Sequence, residues 1–312
     1  MTQFAKPLMN VLLLALGLAG TASPASAEDL TPYAMINKAA AEQPIITHTL
    51  RGGVSALEGS GGNIGVYAGS SGLLMVDAGI AVSRQKIEAA LQKIEPGKIR
   101  YLINTHWHWD HTDGNGWAHS DGATIIATPK TAEHLGQTIR VVEWGHTFTP
   151  VEAGARPTEL VTSQEKIMPF DGETVRIRTY VDSHTDGDLS VYFEKADVLC
   201  TGDTWWNGLY PFIDYAEGGG INGMIAAADA NLAMVTDHTI IVPGHGPVGD
   251  RLQLVQYRDM LVAIRDRVAA LKKEGKTLEQ VIAAKPTASF DSKWGQSIIS
   301  PALFTTLVFK GV

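Results

Sequence analysis

The segment that most constrains this chain is residues 106–111, with the sequence HWHWDH. It places three imidazoles and one carboxylate within six positions, although the chain has only ten histidines among its 312 residues. Imidazole nitrogen and carboxylate oxygen are the atoms that bind zinc and related metals in proteins. The segment directly follows an apolar run at 99–103, which predicts a short buried strand. His106 and His108 would point the same way from extended backbone. We therefore expect a metal site here rather than a solvated polar loop.

The first 27 residues are predicted to be a secretory signal peptide. Lys6 precedes an apolar stretch at 8–18, and residues 25–27 are Ala-Ser-Ala, which is typical of a cleavage site. The apolar stretch is too short to span a membrane. We therefore expect cleavage before Glu28, export to the bacterial periplasm and no membrane anchor afterwards; a retained anchor is the alternative. Residues 28–312 are expected to form a single domain with a helical C-terminal extension.

The composition excludes several kinds of partner. The chain is 45% hydrophobic and 19% charged, as globular domains are. Its formal charge is −8, and removal of residues 1–27 takes away one lysine and makes it −9. Such an acidic protein is a poor match for nucleic acid or an anionic membrane. Cys200 is the only cysteine, so no internal disulfide forms, and its apolar neighbours predict a buried residue. Nothing in the sequence predicts an oligomeric state.

Hydrophobic periodicity predicts alternating strands and helices along both halves of the chain. We expect strands between residues 45 and 77 and at 99–103, 124–127, 175–181, 189–193, 197–200 and 239–242. Predicted helices cover 84–94, capped by Ser83, a short stretch from Pro129, and 221–234, 250–273, 278–284 and 301–309. Residues 28–44 are expected to be a loosely held entry segment. The alternation favours a layered α/β domain with sheets inside and helices outside.

Three further metal-ligand candidates, His184, Asp203 and His245, each follow a predicted strand. Asp77 ends an earlier strand in the same way. Loops at strand ends are where layered α/β folds assemble their sites. We therefore expect these residues to join the HWHWDH segment.

In order and spacing, these residues resemble the metal motifs of the metallo-β-lactamase superfamily, over about residues 53–246. The resemblance implies a four-layer αβ/βα sandwich with the metals at one edge. The implied ligands are His106, His108 and His184 for one metal and Asp110, His111 and His245 for the other, with Asp203 bridging the two. Asp77 matches the family's early Asp-x-Gly turn and would be structural or would support a ligand.

The resemblance also implies a mechanism. Two metals ~3.5–4 Å apart lower the pKa of a shared water and hold the oxygens of a reacting acyl group. A metal-bound hydroxide would then attack the substrate carbonyl, oriented by Asp110 as the catalytic residue. Five histidines and two aspartates favour two zinc ions per chain, with iron or manganese left open. The remaining histidines are predicted to be surface or structural residues: His48, His119, His134, His146 and His238.

Aromatic residues cluster around the motif and are candidates to line a substrate cleft. Residues 59–63 are a glycine-rich hairpin tip that the resemblance places over the site, where Asn63 would donate to substrate. The cleft candidates are Asn63, Trp107, Trp109, Trp205, Trp206, Tyr210 and Tyr215. Core packing is the alternative for the aromatics, and a plain turn is the alternative for 59–63.

Differences between this sequence and known family members restrict the classes of substrate that we expect. Glyoxalase II-type enzymes resemble this ligand set, but residues 212–220 are acidic and glycine-rich rather than a basic glutathione-binding stretch. Secreted metallo-β-lactamases usually lack an aspartate where Asp203 lies. We predict an exported hydrolase of a small acyl substrate: a β-lactam, lactone, ester or thioester. The alternatives are an iron-dependent redox member similar to persulfide dioxygenases and a non-catalytic periplasmic metal-binding accessory protein.

Overall fold

Two mixed β-sheets pack face to face at the centre of the computed structural model, which describes residues 30–312. The strands are β1 (Ile46–Thr49), β2 (Val54–Glu58), β3 (Ile64–Gly69), β4 (Gly72–Val76), β5 (Ile99–Ile103), β6 (Thr124–Ala127), β7 (Ile139–Val141), β8 (His146–Phe148), β9 (Glu159–Leu160), β10 (Glu165–Phe170), β11 (Glu173–Thr179), β12 (Leu189–Phe193), β13 (Val198–Cys200) and β14 (Ile240–Val242). The first sheet has the order β1-β2-β3-β4-β5-β6-β9, and the second has the order β10-β11-β12-β13-β14. Strands β7 and β8 form a separate hairpin.

Helices cover the outer faces of both sheets. In chain order, the helices of the described residues are α1 (Pro32–Glu42), α2 (Arg84–Ile94), α3 (Trp109–Thr112), α4 (Asn115–Ser120), α5 (Pro129–His134), α6 (Ile221–Met234), α7 (Arg251–Lys273), α8 (Leu278–Ala283), α9 (Asp291–Trp294) and α10 (Pro301–Lys310). Helices α2 and α4 share a buried cluster with the first sheet, whereas α6, α7 and α10 share one with the second. The order helix, sheet, sheet, helix is the predicted four-layer sandwich.

The layers follow from the pattern of apolar residues in the strands. In β11, Val175 and Ile177 are fully buried between the sheets, whereas Arg176 and Arg178 alternate with them and are partly exposed. This period of two matches a strand with one face in the core. Strand β5 has a buried apolar residue toward each neighbouring layer, because Leu102 packs with the helix-covered cluster and Ile103 packs with residues of the second sheet.

Paired strands bring the candidate site residues to one edge of the sandwich. Strands β4 and β5 are parallel, and Val76 is paired with Ile103 near their carboxyl ends. Strands β13 and β14 are also parallel, with Cys200 opposite Val242. The residues that follow these ends are Asp77, the HWHWDH segment, Asp203 and His245. Parallel pairing thus gathers residues that are far apart in the sequence.

Most predicted elements are confirmed, but one local prediction is wrong and another holds only in part. Residues 28–44 were expected to be loosely held, yet Pro32–Glu42 is a helix with Thr31 as its N-cap. Ser83 occupies the N-cap position of α2 as predicted, but its side chain makes no capping hydrogen bond; its hydroxyl donates instead to the carbonyl oxygen of Ala40, and a short 3₁₀ turn leads into the helix. The β7–β8 hairpin, strands β9 and β10, and the short helices α3, α4 and α9 were not predicted. Cys200 is buried, as expected.

The predicted signal peptide, residues 1–27, lies outside the described residues. Within residues 30–312, no helix is long and apolar enough to cross a membrane. Residues Thr31–Val312 form one compact unit, in which α8 and α10 pack against α7.

Candidate metal centre

Four of the predicted ligands form a first group, His106, His108, His184 and Asp203, with one ligand atom from each within 4.8 Å of the others. Nδ1 of His108 lies 3.1 Å from Nε2 of His106 and 2.8 Å from Nε2 of His184. Oδ2 of Asp203 lies 3.3 Å from Nε2 of His184. All four side chains are buried. Three imidazole nitrogens and a carboxylate oxygen therefore face one small volume.

The second group consists of Asp110, His111 and His245, again within 4.8 Å. Oδ2 of Asp110 lies 3.3 Å from Nε2 of His245 and 3.8 Å from Nε2 of His111. Asp203 also reaches this group, because its Oδ1 is 3.1 Å from Nε2 of His111 and its Oδ2 is 3.3 Å from Nε2 of His245. Asp203 thus lies between the two groups, the position expected of a bridging ligand.

The surroundings of Asp203 fit a cation. Its Oδ1 is buried and, although Nε2 of His111 lies 3.1 Å away, it accepts no hydrogen bond of good geometry from the described residues. A buried polar atom without a partner costs about 1–3 kcal/mol, and more when it is charged. A metal ion would remove that cost, and five imidazoles with two carboxylates suit zinc and its first-row neighbours. The residues present therefore fit a pair of metal ions.

Hydrogen bonds on the far side of two rings orient them toward the centre. Nε2 of His108 donates to Oδ2 of Asp214 at 2.9 Å. Nδ1 of His184 donates to the carbonyl oxygen of Phe212 at 2.8 Å. Each bond fixes the tautomer, so that the other ring nitrogen presents its lone pair to the centre.

Asp77 supports a ligand in each group. Its Oδ2 accepts from Nδ1 of His111 at 2.8 Å and from the Thr105 hydroxyl at 2.8 Å, while its Oδ1 accepts from the Thr105 amide. The Thr105 hydroxyl donates its proton to Asp77. Its oxygen therefore accepts a hydrogen bond from Nδ1 of His106, which lies 3.0 Å away. Asp77 itself adopts a left-handed backbone conformation, with φ of 65°. The expectation that it is structural or supports a ligand agrees with these contacts.

The carboxylates and imidazoles of the cluster shift one another's pKa values. Burial alone would raise the pKa of Asp203, but His245 and His111 hold it well below its usual range. Burial would lower the pKa of His111, yet Asp203 and Asp110 raise it well above its ordinary value, and Asp203 likewise raises that of His245 to about 9. Burial lowers the pKa of His184 to about 4. The ionised carboxylates thus stabilise positive charge within the cluster, whether on protonated imidazoles or on bound metal ions.

Two glycines allow the backbone to approach the ligands closely. A Cβ on Gly62 would overlap the imidazole of His111, and one on Gly244 would overlap Oδ1 of Asp203. Any side chain at these positions would therefore displace a ligand. The Gly62 amide also donates to the carbonyl oxygen of Asp110 at 3.2 Å, which holds residues 61–62 against the second group.

The centre opens to solvent at the second group. The side chain of Asp110 is 9% exposed and that of His245 is 17% exposed, whereas the other five ligands are at most 3% exposed. Trp206 packs against His245, with ring centroids 4.2 Å apart. A substrate would therefore approach between Asp110 and His245.

Several predicted cleft residues are structural instead. Asn63 is buried, and its amide donates to the carbonyl oxygens of Pro243 and Gly246, so it is not free to bind substrate. Trp205 and Tyr210 have no exposed surface and lie in the core. The structure thus places these three candidates in the core or in contact with backbone carbonyls, because the sequence does not distinguish a polar or aromatic residue beside a site from one packed beneath it.

The other aromatic candidates lie elsewhere. The Tyr215 hydroxyl accepts a hydrogen bond from the amide of Ile221, and the ring packs against the core. Trp206 borders the centre through His245. Trp107 and Trp109 line a separate cleft that contains none of the seven candidate ligands.

Asp214 is a site residue that the sequence did not reveal. It lies in the acidic, glycine-rich stretch 212–220, which is tied to the His184 loop by backbone hydrogen bonds from Asp214 to His184 at 2.9 Å and from Gly220 to Ser183 at 2.8 Å. The acidic composition of that stretch was the sequence signal for Asp214. However, Asp214 contacts His108, which lies 106 positions away in the sequence.

His134, predicted to be surface or structural, is buried beside the same stretch. Its Nε2 lies 2.7 Å from Asp186 and its Nδ1 lies 3.2 Å from Glu217. It therefore links α5 to the two loops that carry His184 and Asp214.

Comparison with known proteins identifies the family. The model of the metallo-β-lactamase superfamily matches residues 57–252. The chain belongs to the metallo-β-lactamase superfamily. The chain is 26% identical over 171 residues to a hydroxyacylglutathione hydrolase from Polaromonas sp. (strain JS666 / ATCC BAA-500). This match covers 54% of this chain and 57% of that relative.

Solved structures share the metallo-β-lactamase fold at low identity. A stereoselective inverting sec-alkylsulfatase from Pseudomonas sp. has a TM-score of 0.65 and 18% identity, covering 85% of this chain and 50% of that one. The DIM-1 metallo-β-lactamase has a TM-score of 0.56 and 18% identity, covering 70% of this chain and 97% of that one. The chain thus spans only about half the length of the hydrolase and the sulfatase.

Proposed function

We propose that this protein is a dinuclear metallohydrolase that cleaves a small acyl substrate. The observation that supports this most strongly is the position of Asp203. One carboxylate lies within 3.3 Å of imidazole nitrogens from both ligand groups, and its Oδ1 lacks a hydrogen-bond partner among the described residues. A structural role alone gives no reason to bury a carboxylate among four imidazoles.

The ligand sets divide as the family resemblance implies. His106, His108 and His184 would hold one zinc ion, Asp110, His111 and His245 the other, and Asp203 would bridge them. When bound, the two ions would supply Lewis-acid chemistry, which polarises an acyl oxygen and makes a water more acidic at neutral pH. Asp77 and Asp214 keep His111 and His108 oriented for that role.

Asp110 is the residue we assign to the attacking water. Its carboxylate lies at the open side of the centre, and His111 and His245 outweigh burial and lower its pKa, so that it is ionised at neutral pH. An ionised carboxylate at the mouth accepts a hydrogen bond from water and orients it toward a carbonyl carbon. A substrate would enter beside His245, the most exposed of the ligands.

The substrate we propose is small and neutral or anionic: a lactone, a β-lactam, a short ester or a thioester. A hydrolase of glutathione thioesters among the relatives makes the thioester a natural member of that set. However, residues 203–220 contain no lysine or arginine, and Trp205 and Tyr210 within them are buried. This segment therefore offers no cation to bind the carboxylates of a glutathione moiety.

The test measures metal content and hydrolysis on one sample of zinc-loaded protein. We expect two zinc ions per chain and turnover of at least one class among a lactone, a β-lactam, an ester and a thioester. One iron per chain with no zinc would favour the redox alternative. Two zinc ions with no hydrolysis of any class would favour an accessory protein.

We also propose that the protein is exported after removal of residues 1–27. The support is the sequence pattern around Lys6 and Ala27. Mass spectrometry of the protein from a periplasmic fraction should give a chain that begins at Glu28. A chain that retains Met1 in that fraction would contradict cleavage.

A further inference from the structure

A second cleft borders the metal-binding segment without including any of its ligands. It has a volume of about 440 Å³. The segment 107–116 forms one wall, α1 contributes Tyr33, and the β7–β8 hairpin with the residues after it forms the other wall. Ligand sites in proteins commonly have volumes of roughly 300–1,000 Å³. The cleft is therefore large enough for a small organic molecule.

Aromatic rings make up the floor of this cleft. Tyr33 stacks on His146 with ring centroids 3.6 Å apart, and Phe148 meets Tyr33 edge-on at 5.7 Å. Trp109 lies 5.4 Å from Phe148. Tyr33, His146 and Phe148 are partly exposed, so part of this aromatic surface faces solvent. Exposed aromatic carbon in a concave site favours a ligand with apolar or cationic groups.

The charged groups of the cleft are acidic. Asp113 and Glu152 are exposed and line it, and none of the described residues that line it is a lysine or arginine. Burial, and after it the carboxylate of Asp113, raises the pKa of Tyr33, so that carboxylate acts on the aromatic floor. The nearby Arg140 lies outside the lining and is directed to the Thr147 hydroxyl, 3.4 Å away.

We propose that this cleft binds a small organic cation, such as an alkylammonium compound, by combining the aromatic floor with the carboxylates of Asp113 and Glu152. Aromatic faces attract ammonium groups because the ring face carries partial negative charge. Carboxylates at the rim add attraction for a positive charge and oppose an anion. An anionic ligand of the same shape would meet two like charges in the lining. Burial, and after it the charge of Arg140, lowers the pKa of His146 in the floor, but Arg140 itself lies outside the lining.

Three probes of the same shape separate charge from shape: choline, the neutral 3,3-dimethylbutan-1-ol and the anionic 3,3-dimethylbutanoate. Each is titrated into the full zinc-loaded protein while tryptophan fluorescence is measured, because Trp107 and Trp109 line the cleft. We expect saturable binding of choline, about threefold to tenfold tighter than that of the alcohol, and the weakest binding for the carboxylate. Equal binding of choline and the alcohol would overturn the proposal, and so would tight binding of the carboxylate that the cleft variant Phe148→Leu weakens as much as it weakens choline binding.

Variants then assign the binding to this cleft. Phe148→Leu removes an aromatic face but keeps an apolar side chain, and Glu152→Gln removes a rim charge away from the metal centre. We expect each to weaken choline binding by about twofold to fivefold, the loss expected from one cation–π contact or one exposed ion pair. The matched control is Asp237→Asn, an 86% exposed carboxylate outside the cleft. Unchanged affinity in both cleft variants, with thermal unfolding like that of the control, would contradict this location.

Discussion

Nε2 of His108 lies 2.9 Å from Oδ2 of Asp214, and the two side chains are only 3% and 2% exposed. The bond leaves Nδ1 of His108 facing His106 and His184. Asp214 contacts none of the other candidate ligands by side-chain hydrogen bond in the described chain. Its hydrogen bond therefore acts on the centre through the orientation of the His108 imidazole.

Asp214→Ala should weaken zinc binding by about 10- to 100-fold, because His108 loses the acceptor that fixes its tautomer. Asp214→Asn keeps an oxygen acceptor at the same place and should lose less. Competition with a chromogenic chelator measures both affinities. Equal zinc affinity in the wild type and the Ala variant would show that Asp214 does not position His108.

Asp110→Ala should lower kcat by at least about 100-fold, because the orientation of the attacking water is lost. The fold should persist, since Asp110 lies on the short helix α3 at the mouth of the centre. The measurements are kcat on the substrate identified by the panel and far-ultraviolet circular dichroism. Near-normal turnover in a folded variant would refute the role we assign to this carboxylate.

Gly62→Ala should disturb the second ligand group, because its Cβ would overlap the ring of His111. Overpacking of this kind costs about 1–3 kcal/mol and moves the neighbouring side chain. We expect lower thermal stability and fewer than two zinc ions per chain. Gly116→Ala is the control, since its Cβ meets nothing nearer than the Ala155 Cβ at 3.9 Å and lies in helix α4. Equal zinc content in both variants would contradict this steric argument.

Tyr210→Phe should affect stability and leave substrate binding unchanged. The Tyr210 hydroxyl donates to Oδ1 of Asp291 at 2.8 Å, and its ring stacks on Phe304 in the core. Loss of this hydrogen bond should cost about 1 kcal/mol in the free energy of unfolding. Chemical denaturation and KM are the measurements. A several-fold change in KM without loss of stability would return Tyr210 to the substrate cleft.

Local patterns predicted those parts of the structure that depend on neighbours in the sequence. The apolar run before His106 predicted β5, and each strand end that carries a candidate ligand lies where the pattern indicated. Helix α1 was missed although Thr31 followed by Pro32 is a typical helix start.

Long-range contacts could not be predicted in this way. Asn63 donates to the backbone of Pro243 and Gly246, about 180 positions away, and no local pattern distinguishes that bond from one to a substrate. Asp214 reaches His108 across 106 positions. Trp205 is apolar and aromatic whether it lines a cleft or fills the core. The positions of these side chains are determined by how the layers of the fold pack together.

Zinc anomalous scattering from crystals of the zinc-loaded protein tests the central claim most directly. Two peaks are expected, one among His106, His108 and His184 and the other among Asp110, His111 and His245, with Asp203 within ligand distance of both. In an Asp203→Asn variant, the occupancy of at least one peak should fall. A single peak in the native protein, or two peaks of which Asp203 touches only one, would contradict a bridged dinuclear centre.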